Sequence, residues 1–135
     1  MIRTITVDTP GKGLHEITRH LAPLLRDAPA DDGLCTVFLR HTSASLIIQE
    51  NADPSAKHDL EAWLDRLVPP NDPLYTHNDE GPDDMPAHIK AALTAAAIAI
   101  PFENRRLALG TWQGLYLWEH RTRPHTRSIT VHLGA

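Results

Sequence analysis

A short acidic segment with two histidines, HNDEGPDDMPAHIK from His77 to Lys90, is where residue types and spacing point most directly to chemistry. Four carboxylates, Asp79, Glu80, Asp83 and Asp84, surround a Gly-Pro turn. Carboxylates this close repel one another unless a positive charge lies among them or water screens them. The segment is therefore either a solvated loop or one wall of a cation site.

The two histidines favour the cation site. Pro86 is predicted to open a short helix, in which His88 lies one turn beyond Asp84. His77 lies eleven residues before His88, so only a loop that folds back brings both to one centre. Two imidazoles and a carboxylate with open positions are typical of catalytic metals. The spacing matches no compact motif such as H-E-x-x-H, and the ion, Mg²⁺ or Zn²⁺, stays open.

Three other ionisable residues each stand at one end of the apolar row of a predicted strand. Alternation along LCTVFLRH, LYLWEH and TRSITVHL places His41, Glu119 and Arg127 on the same face as the apolar side chains of those strands. Burying such groups singly is costly, so they are expected to meet each other, a metal or a ligand. The alternative is that each strand simply ends at the surface.

Hydroxyl side chains follow His41 directly, in the segment HTSAS. Thr42, Ser43 and Ser45 beside a histidine can bind an oxyanion or phosphate, or hold a serine nucleophile. They can equally satisfy the backbone groups of a turn, which is the commoner case. The sequence has no G-x-S-x-G, G-x-G-x-x-G or P-loop motif to support a hydrolase, dinucleotide or nucleoside-triphosphate site.

The residues named above must be positioned by the strands and helices of the fold. The predicted strands and helices do not strictly alternate along the chain. Asp53 and Pro54 are predicted to cap and open a helix that buries an apolar side, and an earlier amphipathic helix contains Pro23. We predict an α+β fold, a single domain over residues 1–135 with a largely antiparallel or mixed sheet. The first helix is expected to use Leu14, Ile17, Leu21, Leu24 and Leu25, and the second to bury Leu60, Trp63, Leu64, Leu67 and Val68.

Length and charge exclude several classes of protein. At 135 residues the chain is too short for a (β/α)₈ barrel. Its net charge of -4 gives no basic footprint for nucleic acid, and no apolar run is long enough to span a membrane. A single cysteine, Cys35, allows no disulfide within the chain, which together with the absence of a signal-peptide core favours the cytoplasm.

Several long blocks of the sequence resemble one family. HTSASLIIQENADPSAKHDLEAWLDRLVP, EGPDDMPAHIKAALT and LALGTWQGLYLWEHR, with the final arginine before an alternating strand, are similar to the YjbQ-like family, described as secondary thiamine-phosphate synthases. The resemblance covers about residues 40 to 133. It implies a small α/β domain assembled as a homotrimer, with a histidine-rich polar cleft near the subunit contacts.

The resemblance also implies a weak synthase reaction at this cleft. An aminopyrimidine-methyl diphosphate would ionise, the nitrogen of a thiazole phosphate would attack, and pyrophosphate would leave. His41, His77, His88 and Asp84 would contact metal or phosphate, Arg127 would neutralise pyrophosphate, and Glu119 would act as an orienting carboxylate. The polar blocks that carry over to this sequence also include the expected substrate contacts Thr42, Ser43, Glu50 and Asn51.

Two other functions use the same residues and stay open. One is metal-assisted hydrolysis of another phosphorylated metabolite, and the other is a trimeric protein that binds a metal or ligand without catalysis.

The sequence also departs from the family pattern at Ala95 and Arg105, where the family favours glycine. Because glycine often serves a positive φ or a close backbone approach, we expect the loop from Glu103 to Arg106 to differ in shape.

Overall fold

Eight strands and three helices make up the chain in the computed structural model, which describes residues 1–135. The predicted α+β class is confirmed, and every strand pairing is antiparallel. The elements are β1 (Ile2–Thr9), β2 (Gly13–Glu16), α1 (Thr18–Arg26), β3 (Gly33–Leu39), β4 (Ala44–Glu50), α2 (Pro54–Leu67), α3 (Asp84–Leu93), β5 (Ala97–Glu103), β6 (Arg106–Leu107), β7 (Gln113–Glu119) and β8 (His125–Gly134).

The strands form two sheets, ordered β1-β8-β3-β5-β6 and β2-β7-β4. The main core lies between them and includes Cys35, Val37 and Leu39 of β3 together with Leu115 and Leu117 of β7. Apolar residues of α1 join the same cluster. The alternation in β3 therefore buries the face that its sequence predicts. Burial also raises the pKa of the Cys35 thiol to about 11, so this thiol stays protonated at neutral pH.

Helix α2 covers the other face of the three-stranded sheet. Leu64 and Val68 pack there with Leu14, Tyr116 and Trp118 in a second apolar cluster. Strand β7 is consequently buried on both faces, and its two aromatic residues are packing residues. The cap at the start of α2 is as predicted, because the Asp53 carboxylate accepts a hydrogen bond from the Ser55 amide at 2.9 Å and Pro54 follows.

Three expectations about the helices are wrong. Leu14 lies in β2, opposite Trp118, although its spacing from Ile17 fits a helix. The amphipathic helix begins only at Thr18, because residues 13 to 16 pair with β7 instead. In α2 the buried stripe is narrow, and Trp63 and Leu67 are 51% and 54% exposed. The third helix begins at Asp84, two residues before Pro86.

The turn between β5 and β6 explains how the chain tolerates Arg105. Asn104 and Arg105 have φ of +50° and +60°, the left-handed values of a two-residue hairpin turn in which glycine is usual. The Arg105 side chain donates to Asp31 at 2.8 Å and to the carbonyl oxygens of Arg26 and Ala28. These bonds offset the backbone strain, so the arginine keeps a positive φ at a position where we expected the loss of glycine to change the loop.

The strand register brings His41, Glu119 and Arg127 to one end of the two sheets. Ala44, at the start of β4, is paired with Glu119, at the end of β7. On the other sheet, Leu39 ends β3 opposite Ile129, two residues beyond Arg127. Residues 40 to 43 therefore cross from one sheet to the other beside Glu119 and Arg127. No helix has the length and apolar character needed to cross a bilayer.

Candidate functional site

Three side chains from the acidic segment converge on one point. The Nε2 atoms of His77 and His88 lie 2.8 and 3.1 Å from the same oxygen, Oδ2 of Asp84. One ligand atom from each of these residues falls within 4.8 Å of the others. Asp84 is only 1% exposed, whereas His77 is exposed and His88 half-buried. The loop folds back as the metal-site interpretation requires, and the three residues form a pocket with a buried acidic floor and an open side.

The hydrogen bonding of His88 shows what this pocket can hold. Its Nδ1 lies 2.9 Å from the carbonyl oxygen of Thr42, which can only accept, so Nδ1 carries a hydrogen. In a neutral ring Nε2 then presents a lone pair to Asp84, another acceptor. That contact is favourable only with a proton or a metal ion between the two atoms. A histidine that donates its other nitrogen to a backbone carbonyl is the usual arrangement at metal sites, so these residues fit a divalent cation.

A buried arginine holds the carboxylates together. Arg121 donates from Nη1 to Oδ1 of Asp84 and from Nε to Oδ2 of Asp83, both at 2.9 Å. Its Nη2 donates to the carbonyl oxygen of Glu80 at 2.8 Å. Burial alone would lower the pKa of Arg121, but its hydrogen bond to Asp83 and the nearby carboxylates raise it overall. The positive charge that the crowded carboxylates need is therefore supplied by the protein itself.

Sequence reasoning did not identify Arg121 as a site residue. It follows the strand that carries Glu119, two residues later, and therefore shares the parity of that site residue. Four crowded carboxylates require a nearby cation, and this requirement was the only sequence signal for such an arginine. Nothing in the local sequence shows that residues 80 to 84 fold against the end of β7.

Glu119 and Arg127 form the second part of the site, a fully buried ion pair. Arg127 Nε donates to Glu119 Oε1 at 2.7 Å, and Nη2 contacts the other carboxylate oxygen, so the pair is bidentate. The Thr9 hydroxyl and the Arg121 amide also donate to Glu119, at 2.7 and 3.1 Å. Burial would raise the pKa of Glu119, but these hydrogen bonds and the Arg127 charge lower it. Glu119 thus stays ionised and orients Arg127, as its predicted role requires.

His41 reaches the same arginine and places a second N–H donor beside it. Its Nε2 lies 2.8 Å from the Ser128 amide and accepts that hydrogen bond, so a neutral ring carries its hydrogen on Nδ1. Burial, followed by the charge of Arg127, lowers the pKa of His41 and keeps the ring neutral. Nδ1 lies 3.4 Å from Nη1 of Arg127. The two donors are too close for an oxygen to lie between them, but an oxyanion beside the pair would accept from both.

The segment from His41 to Ser43 links the two parts. His41 contacts Arg127, and Ser43 accepts from Arg127 Nη2 through its hydroxyl at 3.0 Å and its carbonyl at 3.3 Å. Between them, the carbonyl of Thr42 holds His88. The hydroxyl cluster therefore acts largely by orienting other groups. The group of His77, Asp84 and His88 and the contact of His41 with Arg127 lie on either side of these three consecutive residues.

Not every predicted contact lies here. Glu50 and Asn51 are at the opposite end of β4 from Ala44, six residues or roughly 20 Å away along an extended strand. Asn51 lies 3.3 Å from Glu16 and 3.5 Å from the carbonyl of Gln113. Within one chain the structure does not bring Glu50 and Asn51 to the cation pocket. His41 lies beside that pocket and turns its nitrogens toward Ser128 and Arg127 instead of toward Asp84.

Comparison with known proteins places this chain in a family. The sequence profile of the UPF0047 protein YjbQ-like family matches residues 3–135. The chain is 52% identical over 129 residues to the UPF0047 protein sll1880 of Synechocystis, which covers 96% of this chain and 88% of that protein. It is 40% identical over 132 residues to the UPF0047 protein YjbQ of Escherichia coli O157:H7, covering 97% of this chain and 95% of that one.

Solved structures agree with the sequence comparison. The chain superposes on the conserved hypothetical protein TT1486 of Thermus thermophilus with a TM-score of 0.88 at 35% identity, covering 98% of this chain and 99% of that one. The names of these relatives state no substrate or reaction, so the chemistry of the site has to be argued from its residues. The profile match and the identities together show that this chain belongs to the UPF0047 YjbQ-like family.

Proposed function

We propose that the protein binds a divalent cation through His77, Asp84 and His88 and acts on a small phosphorylated substrate beside it. The observation that carries the proposal is the orientation of His88. Its Nδ1 is held by the carbonyl of Thr42, and its Nε2 is directed at a carboxylate oxygen 3.1 Å away. Two imidazole nitrogens and one carboxylate oxygen suit Zn²⁺ with open coordination positions, and Mg²⁺ less well because it prefers oxygen ligands.

The anionic part of the substrate is proposed to bind beside His41 and Arg127. Each presents an N–H at their point of contact, and Arg127 is fixed by Glu119 and Ser43. Fixed donors that are aimed at a site of developing negative charge lower an activation barrier because they need no rearrangement during the reaction. A divalent cation would add charge stabilisation for a departing phosphate or pyrophosphate.

The specific reaction we propose is the one that the family resemblance implies, formation of thiamine phosphate. The bond between the pyrimidine-methyl carbon and its diphosphate oxygen breaks, the electron pair leaves with pyrophosphate, and the thiazole nitrogen forms the new carbon–nitrogen bond. Such a reaction needs charge stabilisation more than a general base. That requirement agrees with a site in which both Glu119 oxygens are bound by Arg127, while Asp84 is bound by Arg121 through one oxygen and by the proposed cation through the other.

The same observation favours one second candidate function, binding of a metal and an anion without turnover. Glu119 is bound by an arginine through both oxygens, and Asp84 is bound by an arginine on one side and faces the proposed cation on the other, so the site is suited to holding charged groups. A steady-state rate too slow to supply the product would place the protein in this class.

The homotrimer implied by the resemblance is proposed to form through the outer face of the five-stranded sheet. Phe38 and Leu34 of β3 are 48% and 43% exposed there. The neighbouring outward positions on β5 and β8 hold Ala97, Ala99, Pro101, Thr130 and His132, and none of the positions named carries a Lys, Arg, Asp or Glu side chain. An uncharged face with exposed large apolar residues is what a contact with a second copy requires.

The experiment that tests the proposed function measures metal content and thiamine-phosphate formation in the same preparations. The wild type is compared with His77→Ala and His88→Ala, and with His58→Ala on the exposed side of α2 as the matched control. We expect near-stoichiometric metal in the wild type and control, and loss of metal and activity in both site variants. Metal-free wild type with full activity would contradict the metal site. Bound metal without synthase activity would select the binding function.

A further inference from the structure

A second cavity, separate from the proposed reaction site, opens on the opposite side of α3. It has a volume of about 310 Å³ and is lined by Lys12, Asp65, Lys90, His120 and Arg123, with three prolines forming apolar wall. This volume is at the lower end of the range for small-molecule sites. His77, Asp84 and His88 are not part of its lining.

The cation pocket and the second cavity lie on opposite sides of helix α3. Asp84 and His88 are one turn apart and face the cation pocket, whereas Pro86 and Lys90 are one turn apart and line the cavity. Two residues correspond to about 200° around a helix, so the pairs lie on opposite sides. The cavity is therefore a distinct location and not an extension of the cation pocket.

The cavity carries more positive than negative charge. Lys90 is 4% exposed, and its ammonium group is paired with Asp65 at 2.6 Å. Lys12 uses the same carboxylate, at 3.1 Å, so two ammonium groups share one negative charge. Arg123 adds a third cation, and it has no carboxylate within salt-bridge distance. The other carboxylate of the lining, Asp83, is bonded by Arg121.

A buried polar atom at this cavity also lacks a partner. His120 is 2% exposed; its Nε2 lies 2.9 Å from the Ser45 hydroxyl, while Nδ1 has no hydrogen-bond partner among the protein's own groups. If Ser45 donates to Nε2, the neutral ring carries its hydrogen on Nδ1 and offers a donor. The ring lines the cavity, so its signals should report on a ligand bound there, although Nδ1 itself is enclosed by the protein.

From this charge surplus and the proline walls, we propose that the cavity binds a small phosphate monoester. Its phosphate group would contact Lys12, Lys90 and Arg123, and its organic part would lie against Pro70, Pro82 and Pro86. A phosphate monoester carries nearly two negative charges at neutral pH, and three cations line the cavity against two carboxylates, so the doubly charged group is held more strongly there than a carboxylate is. The proposal is independent of the reaction proposed for the cation pocket.

The test uses phenyl phosphate as the probe, with chelator present so that no metal contributes. Binding is followed by calorimetry and by the histidine side-chain signals in nuclear magnetic resonance. We expect a shift of His120 with His41 unmoved. Lys12→Gln and Arg123→Gln should each weaken binding about tenfold, because each removes a charge-assisted hydrogen bond. Arg3→Gln, which removes an exposed arginine at the start of β1, is the matched control and should bind as the wild type does.

Four results would overturn the proposal. They are no binding at millimolar phenyl phosphate, binding by Lys12→Gln and Arg123→Gln as tight as that of the wild type, a shift of His41 in place of His120, and binding of phenylacetate as tight as that of phenyl phosphate. The third result would place the anion at the proposed reaction site, and the fourth would show that the ligand class is wrong. A metal-free protein that still binds phenyl phosphate at His120 would support this cavity even if the metal proposal fails.

Discussion

Arg121 and Asp84 meet through a 2.9 Å hydrogen bond between Nη1 and Oδ1, and this contact joins the end of β7 to the first residue of α3. The other Asp84 oxygen is left for the two histidines. One carboxylate therefore serves a structural partner on one side and a ligand site on the other. The arginine fixes the orientation in which Asp84 faces the histidines.

Replacing this arginine should destabilise the fold. Arg121→Ala leaves Asp83 and Asp84 without their cation, and removing one partner of a buried ion pair costs about 3 to 5 kcal/mol. Urea unfolding should show this loss in the free energy of unfolding. The exposed Arg3→Ala should stay within about 0.5 kcal/mol of the wild type. A loss for Arg121→Ala no larger than for Arg3→Ala would contradict the structural role of the arginine.

Metal should stabilise the protein through the two histidines. A ligand that binds only the folded state at 100 times its Kd adds about 2.7 kcal/mol. Thermal unfolding with and without Zn²⁺ should therefore show a higher Tm for the wild type and for His58→Ala, and no change for His88→Ala. An equal rise in Tm for His88→Ala would mean that zinc binds elsewhere on the protein.

Acid should destabilise the fold through His120. Burial, followed by the charge of Lys90, lowers the pKa of His120 from 6.5 to about 3, so the folded ring is neutral. Between these two values the unfolded chain binds a proton that the folded chain does not. Stability is thus present above pH 6.5 and is lost as the pH falls toward 3, by up to about 1.4 kcal/mol per pH unit.

The part of this acid destabilisation that comes from His120 should be absent when residue 120 has no ionisable side chain. His120→Gln is expected to have a shallower dependence of unfolding free energy on pH than the wild type between about pH 6 and 4. His58→Gln, at an exposed position, should keep the wild-type slope. Equal slopes for the wild type and His120→Gln would show that His120 titrates normally in the folded protein.

The proposed subunit contact predicts a change of mass. Phe38→Asp places a charge in the middle of the outer face of the five-stranded sheet, where the contact would exclude water. Light scattering should give three times the chain mass of 15.0 kDa for the wild type and a smaller assembly for the variant. Leu74→Asp, on an exposed loop, is the control and should keep the wild-type mass. A variant that stays trimeric would show that the subunit contact lies on another surface.

Alternation along strands predicted the meeting of His41, Glu119 and Arg127, because a strand's period of two fixes which side chains face the core. The helical spacing of Asp84 and His88 was equally informative. What the sequence could not show is long-range: the contact of Arg121 with the acidic loop joins residues 37 apart, and that of His88 with Thr42 joins residues 46 apart. Leu14 was misassigned because an apolar period alone does not report strand pairing.

The burial of strand β7 has a consequence for how the protein unfolds. It is the middle strand of its sheet and is covered on both faces, so its amides should exchange with solvent only through global unfolding. Glu119, His120 and Arg121 continue from its end into three different surroundings: the ion pair with Arg127, the second cavity and the acidic loop. Local fraying elsewhere should leave these residues in place, so both sites are expected to be lost together, in a single cooperative transition.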